Sequence, residues 1–302
     1  MNWGTWHDWR QLLRAANVLT AVSNVVAGAL VAEGRWPAAV PWMLAAAASV
    51  LLYEAGMVLN DAFDAEEDAR ERPERPIPAG RVDRRAAQRA GAALLAAGNA
   101  AAAAAAWHVG RFPPVLVAAC LSAMILMYDG GLKRTWAGPL AMGWCRTLNV
   151  LLGASIAADS GALLAAAPVA LGVGLYTLGV TRIARGETSA GTTRGLRGGL
   201  AAALGGALLL GLWGLSAARL PADGLWLAGM TAILACVLGP GPLAWLKHAD
   251  PLSVRRHVGR MIVGFLAIDA YAAGMSAGWG AAVAVGLLVL PTLAMARSTP
   301  MS

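Results

Sequence analysis

Charged side chains are scarce in this chain. Asp, Glu, Lys and Arg make up 14% of its 302 residues. An ordinary soluble domain carries about a quarter, so a water-soluble globule is excluded. Cysteine is nearly absent: Cys120, Cys145 and Cys236 stand alone inside apolar runs. Their spacing gives no metal motif, and small buried hydrophobes are the role their setting implies. His108 and His257 lie singly near the edges of apolar runs and His248 in a basic loop. None has a nucleophile or metal partner beside it. The sequence also lacks the alternating pattern of a transmembrane barrel, a P-loop, and a dinucleotide-binding glycine pattern. No cleavable signal is expected, because the first apolar run (15–32) is long and has no small-x-small cleavage site.

Apolar residues are abundant. They make up 58% of the chain, with mean hydropathy +0.58. Runs of about 17–22 apolar residues recur throughout, each long enough to cross a hydrocarbon core roughly 30 Å thick. The spans fall near 15–32, 41–61, 87–107, 113–129, 138–157, 163–181, 199–217, 224–245, 258–276 and 280–296. The fold class is therefore all-α, a polytopic membrane bundle of nine to ten transmembrane helices, with residues 1–302 as one domain. The tenth segment has an alternative placement, lying against the bilayer.

The net charge is +7, and the basic residues gather in alternate loops. Only Arg35, Arg111 and Arg219 of the 24 Lys and Arg residues fall on the minority side. By the positive-inside rule both termini and the long loops face the cytoplasm, which places the chain in the cytoplasmic membrane. The charge is thus a topology signal and implies no nucleic-acid partner. Trp3, Trp6 and Trp9 recur every three residues, which marks 1–12 as an interfacial segment.

The most informative stretch is 54–81, which overlaps the cytoplasmic motif loop at 61–86. Asn60, Asp61, Asp64 and Asp68 spell N-D-x-x-D-x-x-x-D. On one continuous helix Asp61 and Asp68 lie nearly in line, with Asp64 about 60° aside. Carboxylates so crowded require positive charge between them. A hard cation such as Mg²⁺ answers that need, binding one or two carboxylates and completing its sites with water and phosphate oxygens. Arg72, Arg75 and Arg81 follow, threaded among Pro73, Pro76 and Pro78. A proline-stiffened loop needs less ordering before its guanidinium groups grip phosphate. Acids for metal followed by arginines for phosphate point to a metal-diphosphate site.

Asn60-Asp61-x-x-Asp64-x-x-x-Asp68 followed by Arg75-Pro76-Ile77-Pro78-Ala79-Gly80 resembles the first aspartate-rich motif and R-P-[LI]-P-[SA]-G loop of the UbiA superfamily of intramembrane prenyltransferases, in its EboC-like branch. Tyr128-Asp129-Gly-Gly-Leu-Lys133-Arg134 resembles the superfamily's Y-x-x-x-K-R element, one residue longer. Gly186-Glu187 and Gly191 echo the end of its second aspartate-rich motif. There the sequence departs from the family: the earlier aspartates are missing, only Glu187 is acidic, and Arg182 and Arg185 stand close by. Either the metal is kept at the first motif while these arginines neutralise phosphate, or catalysis is lost. The pattern does not match the D-x-x-D-G layout of CDP-alcohol transferases.

The resemblance implies Mg²⁺-dependent transfer of an isoprenyl group from an isoprenyl diphosphate to a lipophilic or aromatic acceptor among membrane lipids. It assigns catalysis to Asp61, Asp64 and Lys133, and metal to Asp61, Asp64, Asp68 and Glu187. Substrate binding falls to Asn60, Arg72, Arg75, Tyr128, Lys133, Arg182 and Arg185. Three polar intramembrane groups await a role: Glu54, the Arg146–Asn149 pair on one helix face, and Asp269, which has no partner evident in sequence. The alternative function is a non-catalytic protein of this fold that binds or carries lipid.

Overall fold

A computed structural model describes residues 2–14, 17–185, 193–217, 223–239 and 251–298. Regular structure among them is entirely helical: α1 Trp6–Leu13, α2 Val18–Glu33, α3 Ala39–Phe63, α4 Ala65–Glu71, α5 Arg84–Val109, α6 Pro113–Asp129, α7 Gly138–Ala154, α8 Ala162–Ala184, α9 Thr193–Ala217, α10 Asp223–Leu238, α11 Pro251–Ala277, α12 Trp279–Gly286 and α13 Val289–Ser298. A 3₁₀ turn, Leu132–Arg134, joins α6 to α7.

The expected apolar runs become helices almost one for one. Five are long and apolar enough to cross a membrane by length and composition: Ala39–Phe63, Arg84–Val109, Ala162–Ala184, Gly195–Ala217 and Leu252–Ala277. This is an integral membrane protein. The tenth run behaves differently, because 280–296 breaks into α12 and α13 of 8 and 10 residues. Neither piece alone reaches the roughly 20 residues a crossing needs. α12 packs instead on α11 and α2.

α2 is the hub, touching α3, α7, α8 and α11. Glycine explains how it comes so close to α7. A Cβ on Gly28 would collide with the Val150 carbonyl, and one on Gly153 with that of Val25. With no hydrophobic drive between helices in lipid, such backbone-to-backbone approach is what holds neighbours together. α2, α3, α6, α7, α8 and α11 enclose a cavity of about 350 Å³, while α5, α9 and α10 pack outside this ring.

The N-terminal segment docks on the motif loop. α1 opens with a capping box between Thr5 and Asp8, and Leu12 is fully buried with Val58, Ile77 and Val82. Asp8 accepts from Arg81 Nε at 2.7 Å, and Asn2 bonds Gly80 and Asp83. Trp3 stacks on Trp9 with centroids 6.4 Å apart, and Trp3 and Trp6 remain exposed.

Candidate functional site

The acidic motif does not lie on one helix. α3 ends at Phe63, Asp64 takes φ −86 and ψ 2, and α4 restarts at Ala65. The break turns Asp64 toward the 3₁₀ turn and leaves Asp61 and Asp68 facing the proline loop. The expected phase relation, with three carboxylates on one stripe, is replaced by two groups of acids, each with its own cation.

Arg75 sits between the first two. Its Nη1 donates to Asp68 Oδ2 at 2.7 Å and to Asp61 Oδ1 at 3.4 Å. Asp61 also accepts from Arg14 Nη2 at 3.1 Å. Among the described residues Arg14 is the one non-glycine with positive φ, at 46°, a strained conformation for a long side chain. It follows α1, so the docked N-terminal helix carries this guanidinium to the site.

Lys133 serves the second group. Its Nζ lies 2.8 Å from Asp64 Oδ1 and 3.7 Å from Asp129 Oδ1. It is a point charge between two acids, without hydrogen-bond alignment to either. Asp129 also accepts from Asn60 Nδ2 at 2.8 Å. Arg134 reaches Asp64 and Glu67 at 3.3 and 3.1 Å. Arg185 lies at the edge of this cluster, donating to the backbone carbonyls of Lys133 at 2.6 Å and Thr135 at 3.0 Å. It braces the turn that presents Lys133.

Asp61 and Asp68 are 5% and 4% exposed, so these are not solvated loop charges. Carboxylates buried to that degree require compensation, and here the chain supplies it from Arg14 and Arg75. Among the described residues no three His, Cys, Asp or Glu side chains converge as a metal centre. The donor set still suits a hard cation, because its acidic ligands are all carboxylates. Arg75 Nη1 also marks a point that two of them already share.

The cavity opens beside this cluster. Asn60, Tyr128 and Asp129 line it with Arg14, and its walls are largely apolar, including Leu52, Ile125, Val180 and Ile262. Along α3 the lining runs from Asn60 to Ser49, about 16 Å at 1.5 Å per residue.

The structure gathers Asn60, Asp61, Asp64, Asp68, Arg75, Tyr128 and Lys133 in one region. Arg72 stays apart, half-buried at the end of α4 and in no ion pair among the described residues. Arg182 is exposed and lies against Gly198 of α9, away from the cavity lining. Glu187, with the rest of the second motif, lies outside the described residues. Glu54 is buried with Oε2 lacking a hydrogen-bond partner among the described residues, and it does not line the cavity. Arg146 and Asn149 both do. Asp269, partnerless in sequence, accepts from Ser23 and Asn24.

Two residues escaped the sequence reading. Arg14 is 47 positions from Asp61 and gave no signal. Asp129 did give one, as an acid closing an apolar run four residues before Lys133.

The UbiA prenyltransferase family model matches residues 21–253, which include every acid of the first motif, Lys133 and Glu187. The chain belongs to the UbiA prenyltransferase family. Among its relatives is a digeranylgeranylglyceryl phosphate synthase of Ignicoccus hospitalis, 33% identical over 181 residues, covering 58% of this chain and 57% of the relative. Another, of Methanopyrus kandleri, is 42% identical over 78 residues, 26% of this chain and 28% of that one. The chain thus spans about half, or less, of the curated relatives it matches.

Two solved structures share the UbiA-family fold. One is the apo structure of a UbiA homologue from Aeropyrum pernix K1, with TM-score 0.65, 20% identity, and coverage of 91% of this chain and 98% of that one. The other comes from work on digeranylgeranylglyceryl phosphate synthase in membranes, with TM-score 0.61, 16% identity, and 89% and 98% coverage.

Proposed function

We propose that this chain transfers an isoprenyl group from an isoprenyl diphosphate to a lipophilic acceptor within the membrane. The observation that carries the reading is the placement of a carboxylate cluster and three cations, Arg14, Arg75 and Lys133, beside a deep, mostly apolar cavity. Domain 1–302 forms one unit on this reading. The charge asymmetry of the loops supports a cytoplasmic-membrane protein with the motif loops facing the cytoplasm.

Asp61, Asp64 and Asp68 would hold a divalent ion, Mg²⁺ being the expected species, with Asn60 orienting them and Glu187 as a further ligand. The ion supplies charge neutralisation on the leaving diphosphate. Arg75 and Lys133 bind phosphate oxygens; a lysine on a flexible stem can follow the diphosphate as it departs. The donor C1–O bond breaks with its electron pair going to diphosphate. An electron pair of the acceptor then forms the new bond to C1, and the acceptor's proton passes to the diphosphate. Apolar walls accept the isoprenyl tail and keep water from the allylic cation. Arg72, Arg182 and Arg185 are placed for outer contacts or bracing. The relatives' name directs the first acceptor trial to a glyceryl phosphate lipid.

A second reading is a lipid-binding protein without turnover. It is favoured by the pairing of each motif carboxylate with one of the chain's own cations. Purified protein given Mg²⁺, geranylgeranyl diphosphate and an alkylglycerol phosphate decides between them. Pyrophosphate release that EDTA stops, and that falls about a hundredfold or more in Asp64→Asn, supports transfer. Lipid binding indifferent to EDTA, with no pyrophosphate released, sinks it.

A further inference from the structure

The cavity ends at a built floor. Its lining reaches from Asn60 to Ser49 along α3 and from Asp129 to Leu121 along α6, about 16 Å and 12 Å at 1.5 Å per residue. At the deep end the Ser49 hydroxyl donates to Asn149 Oδ1 at 2.7 Å, and Asn149 Nδ2 donates to the Ala21 carbonyl at 2.8 Å. These bonds tie α3, α7 and α2 together at one level. Ser49 and Asn149 are 1% and 5% exposed. A hydrogen-bonded pair in apolar surroundings resists opening, because parting it would strand polar groups where no water reaches them.

Beneath the pair, α2 and α7 close on each other. Val25 lies one turn below Ala21 and meets Gly153, and Val150, next to Asn149, meets Gly28. On the opposite side Leu52 and Leu121 fill the gap between α3 and α6. Leu52 is fully buried and Leu121 nearly so, and both pack on Ala48 and Ala118. The apolar lane down to this floor runs along α3 and α6, past Gly56, Ile125, Leu52 and Leu121.

The depth suits one length of tail. In an extended chain, bonds of about 1.5 Å advance about 1.25 Å each, so an isoprene unit of four such bonds adds about 5 Å. Three units span about 15 Å and four about 20 Å. With the diphosphate at the acids beside Asn60, the third unit reaches the floor and a fourth would have to turn off the axis. Gly56 sets a second mark on the same wall. It lies about 6 Å below Asn60, and a Cβ there would stand 3.4 Å from Ile125. Glycine keeps the lane open at that height, and a side chain in its place would fill the lane without pressing on backbone.

We infer that this floor measures the donor: Leu52, Leu121 and the Ser49–Asn149 pair select an isoprenyl diphosphate of the farnesyl class, three isoprene units long. This rests on the prenyl-transfer reading above.

The test uses the full chain in lipid nanodiscs with Mg²⁺. Titration calorimetry follows the thiolodiphosphates of dimethylallyl, geranyl, farnesyl and geranylgeranyl tails, in which sulfur at C1 keeps the tail attached. From geranyl to farnesyl, Kd is expected to fall at least about tenfold as one more unit is buried. The step to geranylgeranyl should bring no further gain. Leu121→Ala lowers the floor and should improve geranylgeranyl against farnesyl at least about tenfold over the parent. Gly56→Leu blocks the lane early, erasing the farnesyl advantage over geranyl while dimethylallyl binds as before. Comparing each variant with the parent cancels a tail's own partition into lipid. General loosening of the bundle weakens all tails alike and leaves their order unmoved. Should Leu121→Ala not fold, Leu121→Val makes a smaller change in the same direction, and Gly56→Leu tests the lane from the other end.

A parent affinity that keeps climbing from farnesyl to geranylgeranyl overturns the inference, as does an order of tails that neither variant moves. The expected order of binding, with no pyrophosphate released from the natural diphosphates, keeps the floor and sinks prenyl transfer. Turnover that accepts every tail alike does the reverse.

Discussion

Replacing Lys133 by methionine probes the centre of the proposed site. The lysine side chain is 10% exposed, that of Asp64 18% and that of Asp129 2%. At an effective dielectric near 20, unit charges about 4 Å apart attract by about 4 kcal/mol, and removing one partner of a buried pair destabilises by about 3–5 kcal/mol. The lower end applies here, because Asp64 keeps Arg134 at 3.3 Å and Asp129 keeps the Asn60 amide at 2.8 Å. We expect Lys133→Met to lose about 3 kcal/mol of stability. The second change, Asp129→Asn, removes the acid left most buried and should recover much of that loss. Activity should not recover with it. A charge-assisted contact to the leaving diphosphate contributes about 1.5–3 kcal/mol, so kcat stays at least about tenfold down in the double variant. Urea or thermal unfolding in detergent measures the first quantity, and pyrophosphate release the second. A double variant that regains both stability and turnover would show that Lys133 only balances charge, and its assigned role would fall.

Gly153→Val should destabilise strongly, by about 3 kcal/mol, because its Cβ meets the Val25 backbone carbonyl and backbone cannot yield as a side-chain tip does. Melting in detergent checks this, and a variant as stable as the parent refutes the close α2–α7 contact. Asp8 gives a pH prediction. Hydrogen bonds from Thr5, with help from Arg81, lower its pKa to about 2. A carboxylate depressed on folding stabilises above its unfolded pKa of about 4 and loses that contribution as pH falls toward its folded value. Hydrogen-exchange protection of α1 should therefore be flat from pH 8 to 5, decline below about 4, and lose this pH dependence in Asp8→Asn.

Much of the fold was legible because membrane helices announce themselves one by one. Each apolar run needs only length, and length is local. The tenth run was harder to place for a tertiary reason: 280–296 is apolar enough, but it breaks after Gly286 and α12 settles on α11 and α2. The site was legible in its residue types and less so in its pairings. Asn60, Asp61, Asp64, Asp68, Arg75 and Lys133 stood in two short motifs, and both motifs do meet. Their phase was misjudged because the helix breaks at Asp64, and an aspartate between two helical stretches carries no proline or glycine to mark a break. Arg14 and Asp269 find their partners 47 and 246 positions away, distances at which nothing in a single sequence pairs one residue with another.

The need for positive charge among the acids was read correctly, yet it has two solutions. In the ligand-free chain the solution is internal: Arg14 and Arg75 for Asp61 and Asp68, Lys133 for Asp64 and Asp129. On the proposed reading a divalent ion arrives together with a diphosphate, so the pair adds little net charge. The acids can then turn to the ion and the cations to the phosphate oxygens, exchanging partners while the buried site stays close to neutral throughout. Neutrality at each stage matters more here than in a soluble enzyme, because the cluster borders an apolar cavity in which an unmatched charge would find no water to solvate it. Arg75 and Lys133 have acids to release and so, on the proposed reading, suit a ligand that brings its own metal.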